Sequence, residues 1–244
     1  MKKARSISII VPCYNEEKIV YQNLLKIINY LKNHFDSFEI IAVNDGSTDK
    51  TLNELKKLQS VFPIRILNFE RNEGKGRAVK EGILMSEKEI VGFIDADLPV
   101  SIEELEKFLI EIENGYDVVV ASRFLPQSKV AIPVKWYRRL MEKAFRILRF
   151  LILNEYEIKD TQCGFKVFKK EVAKKIFFLS RIKRFAFEAE IILIAKELGY
   201  KIKEVPIILK NPQTSHVKLW KDPPNMFLDL IKIKINKILK KYKT

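Results

Sequence analysis

Five short apolar runs, each set off from the next by a stretch of helical period, fill the first half of this 244-residue chain, and few folds accept that order. The runs cover residues 6–11, 38–43, 64–69, 89–94 and 116–121. Ile19, Leu24, Ile27, Ile28 and Leu31 predict a helix over 16–35, with Asn15 placed to cap it. Leu52, Leu55 and Leu58 predict a second helix, capped by Ser47, and residues 76–85 a third. Ser101 and Glu104 read as a capping box that opens a fourth, ending near residue 113. Strands joined by such crossovers pair in parallel. The expected fold is therefore α/β, a mostly parallel Rossmann-like sheet with helices on both faces.

In such sheets ligands bind beyond the carboxyl ends of the strands. The predicted strand ends carry Pro12-Cys13-Tyr14-Asn15-Glu16, Asn44-Asp45-Gly46-Ser47, the segment Arg71 to Gly76, Asp95-Ala96-Asp97, and Ser122-Arg123. One rim thus collects the chemistry of the half-chain, which argues for a single site. Its sharpest element is Asp95-Ala96-Asp97. Alternation sends strand residues i and i+2 to the same side. Two hard oxygen donors at one strand tip can hold a divalent cation, and through it a diphosphate. A solvated acidic loop is the plainer reading of that triplet alone. Gly74-Lys75-Gly76 lets backbone approach a ligand and adds a cation. Tyr14 can stack on a base. Asp45 can accept hydrogen bonds from a base or ribose, and it also suits the turn before Gly46.

The second half is less regular. Residues 135–154 predict an amphipathic helix, in which Trp136, Leu140, Met141, Phe145, Leu148 and Ile152 interleave with Arg138, Arg139, Lys143, Arg146 and Arg149. Residues 164–168 predict a strand, 187–198 a helix ended by Gly199, and 203–209 an edge strand around Pro206. A proline-bearing loop over 211–224 precedes an apolar, lysine-rich segment, read as helical although 231–235 alternate like a strand. The organisation expected is one domain over 1–224 and a basic amphipathic appendage over 225–244.

Charge divides the chain. Residues 1–122 hold 16 Lys+Arg against 20 Asp+Glu, whereas residues 123–244 hold 29 against 11. A basic half calls for an anionic partner, or else is a solvated lysine-rich surface. Nucleic acid is excluded as the partner, because no binding module appears and the carboxylate rim would repel a phosphate backbone. Two cysteines make no disulfide framework, no signal peptide is visible, and no apolar stretch approaches the roughly 20 residues of a membrane span. The expected location is cytoplasmic and peripheral, with the two amphipathic segments on an anionic membrane.

The ordered set Val11-Pro12-Cys13-Tyr14-Asn15-Glu16-Glu17, Asn44-Asp45-Gly46-Ser47-Thr48-Asp49 and Asp95-Ala96-Asp97 resembles the inverting family two glycosyltransferases of the GT-A fold. Lys159-Asp160-Thr161-Gln162-Cys163-Gly164-Phe165-Lys166-Val167-Phe168 resembles a block of polyprenyl-phosphate sugar synthases, most of all the dolichyl-phosphate glucosyltransferase branch. Phe185-Ala186-Phe187-Glu188-Ala189-Glu190 and Glu204-Val205-Pro206 fit the same branch.

The resemblance implies transfer of glucose or mannose from a UDP- or GDP-sugar to a polyprenyl phosphate. It puts Pro12, Tyr14, Asn15, Glu16, Asp45, Gly46, Gly74, Lys75 and Asp95 around the nucleotide, and Mg²⁺ or Mn²⁺ on Asp95 and Asp97. Pro99 stands where many relatives have a Gln, which leaves the third metal ligand open. Arg123, Arg138 and Arg139 match positions that bind the lipid phosphate, with Asp97 and Arg123 the catalytic pair. Ser215, His216 and Lys218 match a loop that closes over the donor. If strand order follows the family, the strand before Arg123 lies next to the metal strand. The competing reading is a family two enzyme acting on a hydroxyl, which needs a carboxylate base such as Glu188 or Glu190. A non-catalytic membrane adaptor would explain the amphipathic segments but not Asp95 and Asp97.

Overall fold

A computed structural model describes residues 6–131, 136–210 and 222–243. The first half alternates as predicted: β1 (Ser6–Cys13), α1 (Val20–His34), β2 (Ser37–Asn44), α2 (Thr51–Gln59), β3 (Arg65–Asn68), α3 (Lys75–Met85), β4 (Ile90–Ile94), α4 (Leu105–Glu113) and β5 (Val118–Ser122). Then come β6 (Lys129–Val130), α5 (Trp136–Leu153), β7 (Phe165–Lys169), α6 (Lys170–Leu179), α7 (Phe187–Glu197), β8 (Ile202–Pro206), β9 (Ile208–Leu209) and α8 (Asp222–Ile238).

Seven strands form one sheet in the order β3-β2-β1-β4-β7-β5-β8. All neighbours pair in parallel except β7, which runs antiparallel to both β4 and β5. The expected adjacency of the metal strand and the strand before Arg123 is therefore wrong, since β7 lies between them. The reversal has a functional consequence. It brings the residues that lead into β7, Cys163 and Gly164, to the rim where β4 ends, with Phe165 paired to Ile94.

Period-two alternation divides the core between the two faces of the sheet. In β1, Ile7, Ile9 and Val11 join a cluster with Leu24, Ile28, Phe108 and Phe165, while Ile10 joins Val79, Phe93, Phe168 and Phe187 on the other side. That second cluster also takes in Leu230, Ile233 and Tyr242 from α8 and the residues after it.

The structure revises the predicted caps. Asn15 does not cap α1, which starts five residues later; it takes a left-handed backbone at φ 55°. Its Oδ1 instead accepts from the Thr48 backbone N–H at 2.8 Å, while Ser47 Oγ accepts from the Asn15 N–H at 3.0 Å. Ser47 therefore caps nothing, and it is Asp49 that accepts from the N–H of Thr51, the first residue of α2. These polar groups cross-link two rim loops rather than start helices. Ser101 forms no capping box either: a 3₁₀ turn, Ile102–Glu104, precedes α4, and Glu104 pairs with Lys107 at 2.6 Å. The segment that alternates over 231–235 is helical, because α8 lies across α5 and α7 and buries Leu230 and Ile233 there. The strand expected over 203–209 breaks at Ile207, and its second half pairs with β6. Helix α6 had no counterpart in the sequence reading.

Candidate active site

The rim residues line one cavity of about 680 Å³. Pro12, Tyr14, Glu16 and Asp45 line it from the ends of β1 and β2, and Gly74, Lys75, Asp95 and Asp97 from the start of α3 and the end of β4. Asn15 and Gly46 sit beside the first four in the chain and shape the ends of β1 and β2. Gly46, at φ 64°, has no room for a side chain, because a Cβ would strike the Arg71 and Asn72 backbone at 2.2–2.5 Å.

Asp45 is the keystone of this part of the lining. Its Oδ1 accepts from the Glu73 N–H at 2.7 Å, and its Oδ2 from the Gly74 N–H at 2.9 Å and Asn72 Nδ2 at 3.0 Å. Three of its acceptor positions thus hold the loop that leads into α3, which leaves little for a base or ribose. Gly74 sits at φ 105°, where a Cβ would meet the Lys183 carbonyl oxygen at 2.5 Å. The missing side chain lets the 182–187 loop lie on α3 and so sets where α7 begins.

Asp95 and Asp97 differ in partners. Lys75 Nζ lies 2.7 Å from Asp95 Oδ1 and 2.8 Å from Glu188 Oε1. Burial pushes the Asp97 carboxyl up to about 7, helped by the negative charges of Asp95 and Glu16 and only partly opposed by Lys75. At this strand tip negative charge outweighs the one ammonium beside it. Two hard carboxylates at one strand tip, with a third beside them, fit a divalent cation. Asp95 and Asp97 would hold it, although no three acidic, His or Cys side chains among the described residues form a ready ligand set. Pro99 lines the cavity and offers no side-chain donor, so water and the diphosphate itself would complete the shell. Gly164 makes room for this arrangement, because any Cβ there would run into the Asp95 carboxylate.

Another part of the lining is different in kind. Arg123 donates to Asp160 from Nε at 2.7 Å and from Nη2 at 3.0 Å, and to Glu142 from Nη1 at 2.5 Å. Arg146 stacks its guanidinium 4.4 Å from the Phe124 ring centroid and also lines the cavity. Gln162 lines it too, and its Nε2 is buried with no hydrogen-bond partner among the described residues. Met141, Phe145 and Leu148 of α5 and Met226 and Phe227 of α8 make an apolar part.

Other expected site residues are not on the cavity wall or lie outside the described residues. Arg139 is exposed on α5 away from the cavity wall, and Arg138 lies in the first turn of the same helix. Ser215, His216 and Lys218 fall outside the described residues. Glu190 is not at the cavity; it accepts from the Arg181 and Ile182 N–H groups and from the Tyr242 hydroxyl. Cys13 and Cys163 are buried free thiols, and burial pushes both up, the second to about 12, which disfavours the nucleophilic thiolate. Arg184, which faces Asp45 across the cavity, and Arg146 were not singled out from sequence. For Arg146 a signal existed, since it follows Arg139 by two helical turns.

A mostly parallel sheet with an acidic strand tip at its rim, opening on one cavity, is the architecture of α/β nucleotide-sugar enzymes. The sequence profile described as "Glycosyl transferase family 2" matches residues 8–177, and the chain belongs to that family. It is 35% identical over 243 residues to a dolichyl-phosphate beta-glucosyltransferase (ALG5A) of Trichomonas vaginalis, covering 94% of this chain and 73% of that one. The Saccharomyces cerevisiae dolichyl-phosphate beta-glucosyltransferase is 31% identical, with 97% and 76% covered. The Homo sapiens enzyme of that name is 30% identical, with 83% and 67% covered. The fold is GT-A. Glucosyl-3-phosphoglycerate synthase from Mycobacterium tuberculosis, solved with Mn²⁺, uridine diphosphate and phosphoglyceric acid, superposes with a TM-score of 0.67 at 19% identity. That likeness covers 98% of this chain and 79% of the synthase, and it concerns the fold alone.

Proposed function

We propose that this glycosyltransferase moves glucose from UDP-glucose to dolichyl phosphate, with inversion, at the surface of a membrane. The observation that carries the reading is the composition of the cavity lining. It joins three parts: the Asp95 and Asp97 carboxylates, the Arg123 and Arg146 guanidinium groups, and apolar side chains of α5 and α8. A nucleoside diphosphate suits the first part, a phosphate monoester the second and a polyprenyl chain the third. The names of the relatives supply the sugar and the lipid.

In this reading the acceptor phosphate oxygen attacks the anomeric carbon in line with the leaving diphosphate. A new carbon–oxygen bond to the acceptor phosphate forms as the anomeric carbon–oxygen bond to the nucleoside diphosphate breaks. The acceptor is already anionic at neutral pH, so no general base is needed. A divalent cation, Mg²⁺ or Mn²⁺, held by Asp95 and Asp97 would supply charge to the leaving diphosphate. Lys75 adds a fixed ammonium beside it, and Arg123 and Arg146 hold the incoming phosphate. The competing hydroxyl-acceptor reading is weakened by its own bases. Glu188 is buried between two ammonium groups that hold its carboxyl below the usual range against the opposing effect of burial, and Glu190 is tied into a loop.

Membrane contact is supported by two stripes. Trp136, Leu140, Ile147 and Leu151 recur along one exposed face of α5, and Leu228, Ile231, Ile235 and Ile238 along one of α8. Arg139, Lys143 and Lys232 are exposed beside them, which suits anionic headgroups. No helix among the described residues is long and apolar enough to cross a membrane. The free thiols at Cys13 and Cys163 favour the cytoplasmic face.

A donor and acceptor screen tests the reading. Radiolabelled UDP-glucose, UDP-galactose and GDP-mannose are each offered with dolichyl phosphate or with free sugars. Label from UDP-glucose should enter the lipid phase. Label transferred to free sugars alone would overturn the proposal.

A further inference from the structure

Lys166 is a wholly buried ammonium, the second residue of β7, in register with Phe93 of β4. Its Nζ donates to the Cys163 carbonyl at 2.7 Å and to Glu188 Oε2, and lies 5.3 Å from the Phe93 ring centroid. It does not line the cavity. Burying an ammonium is costly unless a partner compensates, and a methionine would fill such a space without that cost. The carbonyl of Cys163 alone is a poor reason to keep it.

Its position gives a better one. Asp95, Lys75, Glu188 and Lys166 stand in line with alternating charge, from the rim to the interior. Glu188 is 3% exposed and shares its two oxygens between the two ammonium groups. Without Lys166, its charge would rest on Lys75 alone. In a low-dielectric setting that carboxylate would draw the Lys75 ammonium inward and away from Asp95.

We infer that Lys166 is a positioning residue for the donor site: it neutralises Glu188 from the interior and so leaves the Lys75 charge at the rim, where a donor diphosphate meets it. The inference rests on the reading of the rim as a nucleotide-sugar site. It assigns Lys166 no contact with substrate. Its effect passes through Glu188, and that makes it separable from a packing role.

The test is a double-mutant cycle of Lys166→Met and Glu188→Gln, with binding of UDP plus Mn²⁺ read by calorimetry and folding read by thermal melts. Lys166→Met should weaken UDP binding at least tenfold. In the Glu188→Gln background the same substitution should change UDP affinity less than threefold, because no buried charge is left to draw Lys75 inward. Each single variant strands a buried charge. Should either fail to fold, the double variant, which strands none, decides, because it should bind UDP within about threefold of the unaltered protein and a tenfold loss there overturns the inference. A tenfold loss in the Glu188→Gln background, or no loss from Lys166→Met alone, overturns the inference while leaving the donor site intact. Failure of the unaltered protein to bind UDP with Mn²⁺ would instead overturn the donor-site reading, and the inference with it.

Discussion

Arg123 and Asp160 form a two-pronged ion pair, Nε to Oδ2 and Nη2 to Oδ1, with Asp160 almost wholly buried. The Arg123 backbone N–H also donates to Asp160 Oδ2 at 2.9 Å. Only Nη1 points to a partner that can leave, Glu142, whose side chain is 34% exposed on α5. The guanidinium is thus fixed by one carboxylate and capped by another.

This geometry changes which variant probes the acceptor site. Arg123→Ala would strand a buried carboxylate and cost about 3–5 kcal/mol of stability, which confounds any activity assay. Glu142→Gln removes a competitor for Nη1 and strands nothing. A part-exposed ion pair is worth about 0.2–1 kcal/mol, so KM for dolichyl phosphate should fall by about 1.4- to 5-fold. UDP affinity should not move. A higher KM in that variant would show that Glu142 supports acceptor binding rather than competing with it.

Removal of a carboxylate at the strand tip should act on cation binding before it acts on fold. Asp97→Asn deletes one of two proposed ligands and also relieves a crowded negative cluster. Calorimetry should show Mn²⁺ binding, in the presence of UDP, weakened at least tenfold, with an unchanged or raised melting temperature. Turnover should fall by orders of magnitude, and excess EDTA should abolish it in the unaltered protein. Full turnover in EDTA would remove the metal from the reaction.

The sheet and the rim were legible because they follow from local patterning. Apolar runs, helical spacing and Asp95-Ala96-Asp97 each declare themselves within a few residues. What stayed hidden depends on the reversal of β7. That reversal lies in the path of the chain after α5, and no local pattern encodes it. It brings Gly164 against Asp95 and buries Lys166 beside Glu188. The caps failed for a related reason. Asn15 and Ser47 have cap chemistry, but loops 33 or so residues apart meet at the rim and use it for one another, while Asp49 serves both Thr51 and Glu17.

The exposed stripes on α5 and α8 should bind vesicles. Trp136 is 76% exposed and Leu140 60%, so charging both should leave the fold intact. Each apolar side chain removed from the bilayer interface loses about 1–2 kcal/mol. Trp136→Glu with Leu140→Glu should therefore lower sedimentation with vesicles containing phosphatidylserine by more than tenfold. Binding of the unaltered protein should weaken as salt rises, since Arg139 and Lys143 act through screened charge. Equal binding to neutral and anionic vesicles would argue against an electrostatic component.

Stability should respond to acid through two pairs. Burial pushes the Asp160 carboxyl up, and the Arg123 guanidinium more than reverses this, holding it below the usual carboxylate range. Glu155 is likewise held down, against burial, by the Lys196 ammonium, the Ile158 N–H and the Arg149 guanidinium. A carboxyl with a depressed folded value binds its proton more weakly in the native state than in the unfolded chain. Its stabilisation is therefore complete above the unfolded value, about 3.9 for Asp and 4.3 for Glu, and is lost as pH falls through the folded value. Urea-unfolding free energy should thus drop steeply below about pH 4, by up to about 1.4 kcal/mol per pH unit for each group. Asp160→Asn should start lower at pH 7 and flatten that drop. Glu190 has the opposite sign, because burial raises its carboxyl beyond what the Tyr242 hydroxyl and two backbone N–H groups can offset. Its contribution is present below the unfolded glutamate value and fades as pH rises through its folded one. Glu190→Gln should remove that decline on the rising side without touching the acid limb. An acid limb unchanged by Asp160→Asn would mean that Arg123 does not hold Asp160 ionised in the native state.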